Sequence, residues 1–487
     1  MTPAGSVAAR TSAQTRNFLG HPIGLSYLFT TEMWERFSYY GMRAILVLYL
    51  TKYLLLTGHV EGVIGYQAVK GFFELFTGPL DVQPLSSMIY GTYTGLVYLT
   101  PFFGGMLADR VLGQRKTVII GAALMALGEF ALMFNSLLYV GLLLLIIGNG
   151  AFKPNISTQV GSLYQPGDSR IDRAYSIFYV GINVGAFFSP LICGTLGEKM
   201  CTVWATETCR QLGQEAGWHF GFFAAGVGMV IGLLIYMFAL RTLPPDQLQT
   251  AKASKTENKN MTGDDWKGVI AIILLVAPVT LFWATYEQQG NTINLWADAF
   301  TDRRLIPGIW DLEIPVTWFQ AFNPFMIFAF TPFVVALWSR QSKKGSEPST
   351  VAKMAIGCFL CAVSYVVLAG AAYVTGPAGH ASWLWLLLYF VILTIGELYL
   401  SPIGLALVAR VSPAKIVSMI MGVWFITSFA GNFLQGYLGS FWSSMDKTDF
   451  FLMIAGVAAV AGGVVTLFII PLKPILEGKM KARPATT

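Results

Sequence analysis

The sequence predicts an all-α membrane protein with twelve transmembrane helices arranged as two six-helix bundles. Three observations predict it. Of 487 residues, 55% are hydrophobic and only 12% charged, against about 25% charged in soluble proteins. Apolar runs of spanning length, about 20 residues, occur six times on each side of one polar stretch. Basic residues are also sorted to one side of those runs. Of 32 lysines and arginines, 22 fall in segments that this topology makes cytoplasmic, seven in external loops and three (Arg36, Arg43 and Lys153) inside the membrane. That bias puts both termini in the cytoplasm.

The first bundle covers 24–241, with runs at 24–55, 86–107, 116–137, 138–162, 171–195 and 218–241. The second covers 267–472, with runs at 267–297, 316–339, 351–375, 382–409, 415–440 and 449–472. Between them, 242–266 has no apolar period and reads as a loosely structured cytoplasmic linker. Residues 1–23 and 473–487 are cytoplasmic tails. The first tail holds Arg10 and Arg16 but no apolar stretch with a cleavage site, so it is not a signal peptide. External loops are short except 57–85, which reads as an ordered loop, with a short surface helix over 66–76 as the alternative. A net charge of +6 hints at nucleic acid in a soluble chain. Here it is the positive-inside bias, so the partner is the lipid bilayer and not nucleic acid. The five cysteines show no metal-ligand spacing, and neither metal nor cofactor is expected. Cys201 and Cys209 share one loop and can pair if that loop faces an oxidising compartment.

The first run contains the least expected chemistry. Glu32, Glu35, Arg36 and Arg43 are ionisable groups where a spanning helix should be. At about 100° per residue, with Glu32 at zero, Glu35 falls about 60° to one side, and Arg43, Arg36 and Tyr40 fall about 20°, 40° and 80° to the other. Tyr39 joins that stripe, while Trp34, Phe37, Gly41 and Ala44 take the opposite side. Each charge costs about 2.5–3.5 kcal/mol at the centre of a lipid-facing helix, and each Leu, Ile, Val or Phe returns only about 0.3–0.6. The stripe therefore faces protein or a water-filled cavity.

Six plus six runs suggest an internal repeat with a site between the halves near the midplane. Lys153 in the fourth run corresponds to Glu397 in the tenth, and Arg43 in the first to Glu287 in the seventh. The N-terminal half thus contributes cations and the C-terminal half anions at equivalent positions. Two ion pairs between the halves, forming and breaking as they rock, are the expectation; static structural pairs are the alternative.

Residues 105–116, with Gly105, Asp109, Arg110, Gly113, Arg115 and Lys116, resemble the loop signature between spans two and three of the major facilitator superfamily. A tight cytoplasmic turn suits them: the glycines allow close helix approach, Asp109 can cap a helix start, and Arg115 and Lys116 hold the inner interface. The opening Glu32-x-x-Glu35-Arg36-Phe37-x-Tyr39-Tyr40-Gly41 is more specific and resembles the first-helix motif of the proton-dependent oligopeptide transporter family. Gly150–Asn155, Phe178–Gly185, Phe282-Trp283 with Glu287-Gln288, Asn323-Pro324 and Gly396-Glu397 with Ser401-Pro402 agree with it, so the resemblance extends over about 24–472.

The resemblance implies a major facilitator fold and a proton-coupled symporter importing di- and tripeptides, with protons as the coupling ion and no cofactor. Such a carrier would work as a monomer in a plasma membrane, here a bacterial inner membrane. Arg36 and Lys153, with Tyr40 and Tyr98, would bind the peptide carboxylate. Glu397, with Asn183 and Asn323, would bind the amino group, and Trp424 and Ser428 would line the site. Arg43 and Glu287 would form an external gate, while Glu32 and Glu35 would couple protons to the inner gate through Arg36. The chain departs from the family's animal members in having Gly91 where they carry a histidine, and His21, His59, His219 and His380 all lie outside the cores of the spans. Carboxylates are therefore the expected proton carriers. Many bacterial members insert two helices after span six, but 242–265 is too polar for that.

The chemistry agrees with a two-poled substrate. Extended residues cover at most about 3.3–3.6 Å each, so a di- or tripeptide separates its charged ends by roughly 7–11 Å. Burial raises a carboxylate's affinity for protons and a nearby arginine lowers it, so a substrate carboxylate competing for Arg36 couples peptide to proton. The competing readings are a nitrate or drug carrier on the same scaffold, a peptide-sensing receptor and a membrane enzyme. For the last, no Gly-x-Ser-x-Gly, His-Glu-x-x-His or paired catalytic aspartates occur.

Overall fold

The computed structural model describes residues 17–165, 168–203, 207, 209, 217–246, 263–413 and 416–482. The ends of both expected tails and linker residues 247–262 lie outside them. Apolar residues on every face, with backbone groups that lipid cannot satisfy, leave the helix as the solution along most of this chain. The helices are α1 (Gly24–Tyr49), α2 (Tyr66–Thr77), α3 (Val82–Leu107), α4 (Gln114–Leu132), α5 (Leu138–Ser162), α6 (Ile171–Val203) and α7 (Gly217–Ala239). They continue as α8 (Gly263–Tyr286), α9 (Thr292–Ala299), α10 (Phe322–Lys343), α11 (Thr350–Thr375), α12 (Trp383–Val411), α13 (Val417–Gly439) and α14 (Lys447–Ala482). The described strands are two to four residues long and pair at helix ends, as in the antiparallel Asn17–Phe18 with His21–Pro22.

Eight helical segments among the described residues are long and apolar enough to cross a membrane: Asn135–Ser162, Ile171–Cys201, Gly217–Ala239, Asp265–Ala299, Val316–Lys343, Thr350–Thr375, Trp383–Ala409 and Lys447–Leu472. Large apolar side chains point outward along them; Ile470 is 83% exposed, as a lipid-facing residue is. Local signals set the ends. Ser349 caps α11 by accepting from Ala352 N at 3.3 Å, and Gly376 ends it at φ 69°.

Three sequence expectations need adjusting. The seventh run is not one helix: α8 stops at Tyr286, a 3₁₀ turn spans Glu287–Gly290, and α9 starts after Asn291, whose backbone leaves the helical region (φ −116°, ψ −96°). Buried Gln288 occupies that break, donating to the Gln435 carbonyl at 2.9 Å and accepting from Thr292 Oγ1 at 2.9 Å. The first run is α-helical only to Tyr49 and continues as a π turn over Leu50–Leu54. Loop 57–85 contains helix α2, the alternative considered for it. Cys201 and Cys209, whose pairing the sequence left open, form a disulfide that ties the end of α6 to the α6–α7 connection.

The chain forms two compact units, residues 1–45 with 100–252, and 46–99 with 253–486. In the first, α4 and α5 approach through small residues. A Cβ on Gly121 would lie 2.7 Å from the Gly148 carbonyl, and one on Gly128 2.9 Å from that of Gly141. In the second, α11 and α12 meet in the same way, Gly357 against the Gly396 carbonyl at 2.7 Å. Such contacts let backbones pack closely where lipid offers no hydrophobic drive. They also place the helices bearing Lys153 (α5) and Glu397 (α12) in equivalent pairs.

Candidate functional site

In the first unit, the 3.6-residue period of α1 stacks its charges. Arg36 Nε lies 3.2 Å from Glu32 Oε1, one turn earlier. The guanidinium also holds the adjacent Glu35, Nη2 donating to Oε1 at 2.7 Å and Nε to Oε2. All three residues are at most 3% exposed. Asn149 of α5 donates to Glu35 Oε1 at 3.1 Å, and the guanidinium sits 5.4 Å from the Tyr39 ring centre. Lys153, half-buried on α5, is close enough to act electrostatically on both Glu32 and Glu35. Tyr40 acts on Arg36 in the same way.

α5 is shaped locally to present Lys153. Pro154 has no N–H for the Gly150 carbonyl, and Asn155 turns its amide back onto the Ala151 carbonyl at 2.7 Å. Asn183 of α6 is buried and donates to the Tyr179 carbonyl of its own helix at 3.0 Å. Arg43 is also buried in this unit.

The second unit contains the carboxylate pole. Asn323 of α10 donates to Glu397 Oε2 at 2.9 Å and to Thr394 Oγ1 at 3.1 Å, and Tyr286 OH donates to Asn323 Oδ1 at 3.3 Å. Glu397 is half-buried and Glu287 is buried, close enough to Glu397 to act on it. Trp424 and Ser428 of α13 are buried, the indole against Gly404 of α12. Tyr98 is half-buried on α3.

The inner-loop signature forms a turn, with one correction. α3 ends near Gly105, and Asp109 and Arg110 lie in a π turn, Ala108–Leu112. Gly113 follows at φ 80°, a left-handed conformation that favours glycine. The acceptor at the start of α4 is Asp246, not Asp109: Arg115 N donates to Asp246 Oδ1 at 3.1 Å, and the Arg115 guanidinium donates to the Leu243 carbonyl. Asp246 lies more than a hundred residues away in sequence, and local pattern gave no sign of it. Asn149, Tyr286 and Thr394 were also missed, although each lies within four residues of a named charge. For Asn149 and Thr394 the unused signal was the facing position at i±4 or i±3; Tyr286, adjacent to Glu287, had no such signal. Among the described residues, no group of three His, Cys, Asp or Glu is placed to hold a metal.

The helices and their buried charges define a multi-pass membrane protein of the transporter type. Comparisons with known proteins narrow this. A family model described as the POT family matches residues 115–250 and 245–456. The peptide transporter YePEPT of Yersinia enterocolitica subsp. palearctica is 31% identical, covering 95% of this chain and 96% of its own. A di-/tripeptide transporter of Lactococcus lactis subsp. cremoris is 31% identical over 95% of this chain and 97% of its own. The crystal structure of a peptide transporter POT in complex with alafosfalin superposes with a TM-score of 0.78 at 30% identity, covering 98% of this chain and 99% of that one. A POT family transporter in complex with 5-aminolevulinic acid gives 0.77 at 27%, covering 96% and 99%. The fold is thus the major facilitator fold of these structures. The chain belongs to the POT family.

Proposed function

We propose that this protein is a proton-coupled symporter that imports di- and tripeptides by alternating access, working as a monomer. The observation that supports it best is Arg36, buried yet shared between two carboxylates of its own helix. A buried cation so held is released only to a competing anion, and a peptide's carboxylate is one. Glu35 and Glu32, left without their partner, then take up protons, which links substrate to proton. Lys153 assists at the carboxylate end. Glu397, steadied by Asn323, receives the amino end together with Asn183. Arg43 and Glu287 gate the outer side.

The same reading takes twelve helices across the membrane, adding α1, α3, α4 and α13 to the eight segments above. At 19 to 26 residues and about 1.5 Å per residue, each reaches across most or all of a hydrocarbon core about 30 Å thick. Both termini are then cytoplasmic and the α6–α7 connection external. The Cys201–Cys209 disulfide supports that orientation, because disulfides persist in oxidising compartments. A bacterial inner membrane is the matching location.

The test is uptake of labelled dialanine into proteoliposomes under an imposed proton gradient. Uphill accumulation, blocked by other dipeptides but not by free alanine, tetra-alanine or nitrate, is the expected result. No accumulation, or competition by nitrate, removes the reading.

A further inference from the structure

One carboxylate outside the groups assigned above is buried without a countercharge among the described residues. Glu129 of α4 is 0% exposed. Its Oε1 accepts from Ser38 Oγ of α1 at 3.2 Å, and its Oε2 has no partner among the described residues. Among the described residues, Ser38, Glu35 and Cys193 act on it, and α5 and α7 pack on the same helix. α1 brings Ser38 and, three residues earlier, Glu35, whose charge acts on Glu129. α6 brings the Cys193 thiol, which packs on Gly41 and feels Glu129 electrostatically. α5 brings Asn149, whose amide is engaged with Glu35. On α7, the His219 ring bonds to the Met133 backbone, just past the end of α4.

No cation stands among these groups, and the one charged neighbour has the same sign. An ionised carboxylate leaving water needs a cation or several donors. One neutral hydroxyl does not meet that need, whereas a carboxylic acid does without. We propose that Glu129 is a second proton-binding site of the first unit, with its proton on the unpartnered oxygen in this state, and that it must hold that proton for transport to proceed. The step is a simple protonation: an O–H bond forms at Oε2 with a proton from a hydronium ion, leaving water, and breaking it returns the carboxylate and a hydrated proton. Ser38 and Glu35 are i, i+3 neighbours on α1, so an anion at Glu129 would repel Glu35 when the substrate takes Arg36 away. The site therefore extends proton coupling beyond Glu32 and Glu35, and it rests on the symport reading above.

The experiment measures initial dialanine uptake by proteoliposomes across a pH series for the unaltered protein, E129Q and S38A. Glutamine is permanently neutral, so in E129Q the alkaline decline of uptake sets in at higher pH. Its slope, as log rate against pH, is also shallower by about one proton. S38A keeps the carboxyl but removes the hydroxyl that favours its anion, so it moves the decline in the same direction. S38A decides the matter if E129Q does not fold. Declines that superimpose on that of the unaltered protein overturn the proposal. If the unaltered protein takes up no dialanine, the peptide reading fails separately. Infrared difference spectra then read the site directly: a titrating carboxylic-acid band absent from E129Q supports it, and the same band persisting in E129Q overturns it.

Discussion

Arg36 Nε lies 3.2 Å from the Glu32 carboxylate, one helical turn away, and both residues are buried. The pair is sustained by Glu35, which the same guanidinium holds. Removing the cation leaves two buried acids without the guanidinium that pairs them, and breaking a buried ion pair in this way costs about 3–5 kcal/mol. R36A therefore lowers the thermal midpoint of the purified protein in detergent. Part of the loss returns at acid pH, where the carboxyls are neutral. An unchanged midpoint means that the carboxylates find other partners.

Glu35 is expected to carry coupling rather than binding. E35Q keeps the shape of the side chain but cannot take up a proton. Gradient-driven accumulation of dialanine should fall by at least about tenfold, or about 1.4 kcal/mol, while counterflow exchange without a gradient persists. Uphill accumulation at the unaltered level contradicts the assignment.

The inner turn is a stability feature. Gly113 holds φ 80° and Asp246 accepts from the first turn of α4. G113A and D246A should each cost about 1 kcal/mol, the first through backbone strain and the second through a lost cap. Chemical unfolding in mixed micelles reads both; no change in D246A removes the role given to Asp246, and none in G113A removes the strain.

The charges on α1 were legible because four ionisable residues in an apolar run have only one tolerable placement, facing inward. Gly121 and Gly148, by contrast, are two ordinary glycines in apolar helices, and only their meeting shows that they set the spacing of α4 and α5. The break at Glu287–Asn291 was hidden because hydropathy reads through a helix interruption whose polar groups are satisfied internally, here by Gln288 and Thr292. Asp246 depends on a tertiary contact with α4, which no local pattern reports. Glu129 was visible as a lone acid in the third apolar run and went unused because no motif contains it.

Just before α1, His21 Nδ1 meets Tyr164 OH at 2.8 Å. Burial pushes the imidazole below the ordinary histidine range, and Arg170 and Arg173 push it further, against Asp168. With the folded value below the unfolded one, the unfolded chain binds the extra proton. The contact's stabilisation is then present above the ordinary histidine range and is lost as pH falls through it to the folded value. Hydrogen exchange at residues 17–22 should accelerate as pH is lowered through that window, beyond the intrinsic pH effect, and H21Q should flatten the response. A response that H21Q leaves unchanged would place the titrating group elsewhere.

The measurement that bears most directly on the two-pole site is binding of dialanine and its N-acetyl derivative to the unaltered protein and to E397Q. Glu397, held by Asn323 at 2.9 Å, is expected to receive the substrate's amino group. The unaltered protein should favour free dialanine by about tenfold or more, since a hydrogen bond to a charged group is worth about 1.5–3 kcal/mol, and E397Q should lose that preference while binding the acetylated peptide as before. Equal binding of the two peptides by the unaltered protein, or a preference that survives in E397Q, would contradict the account.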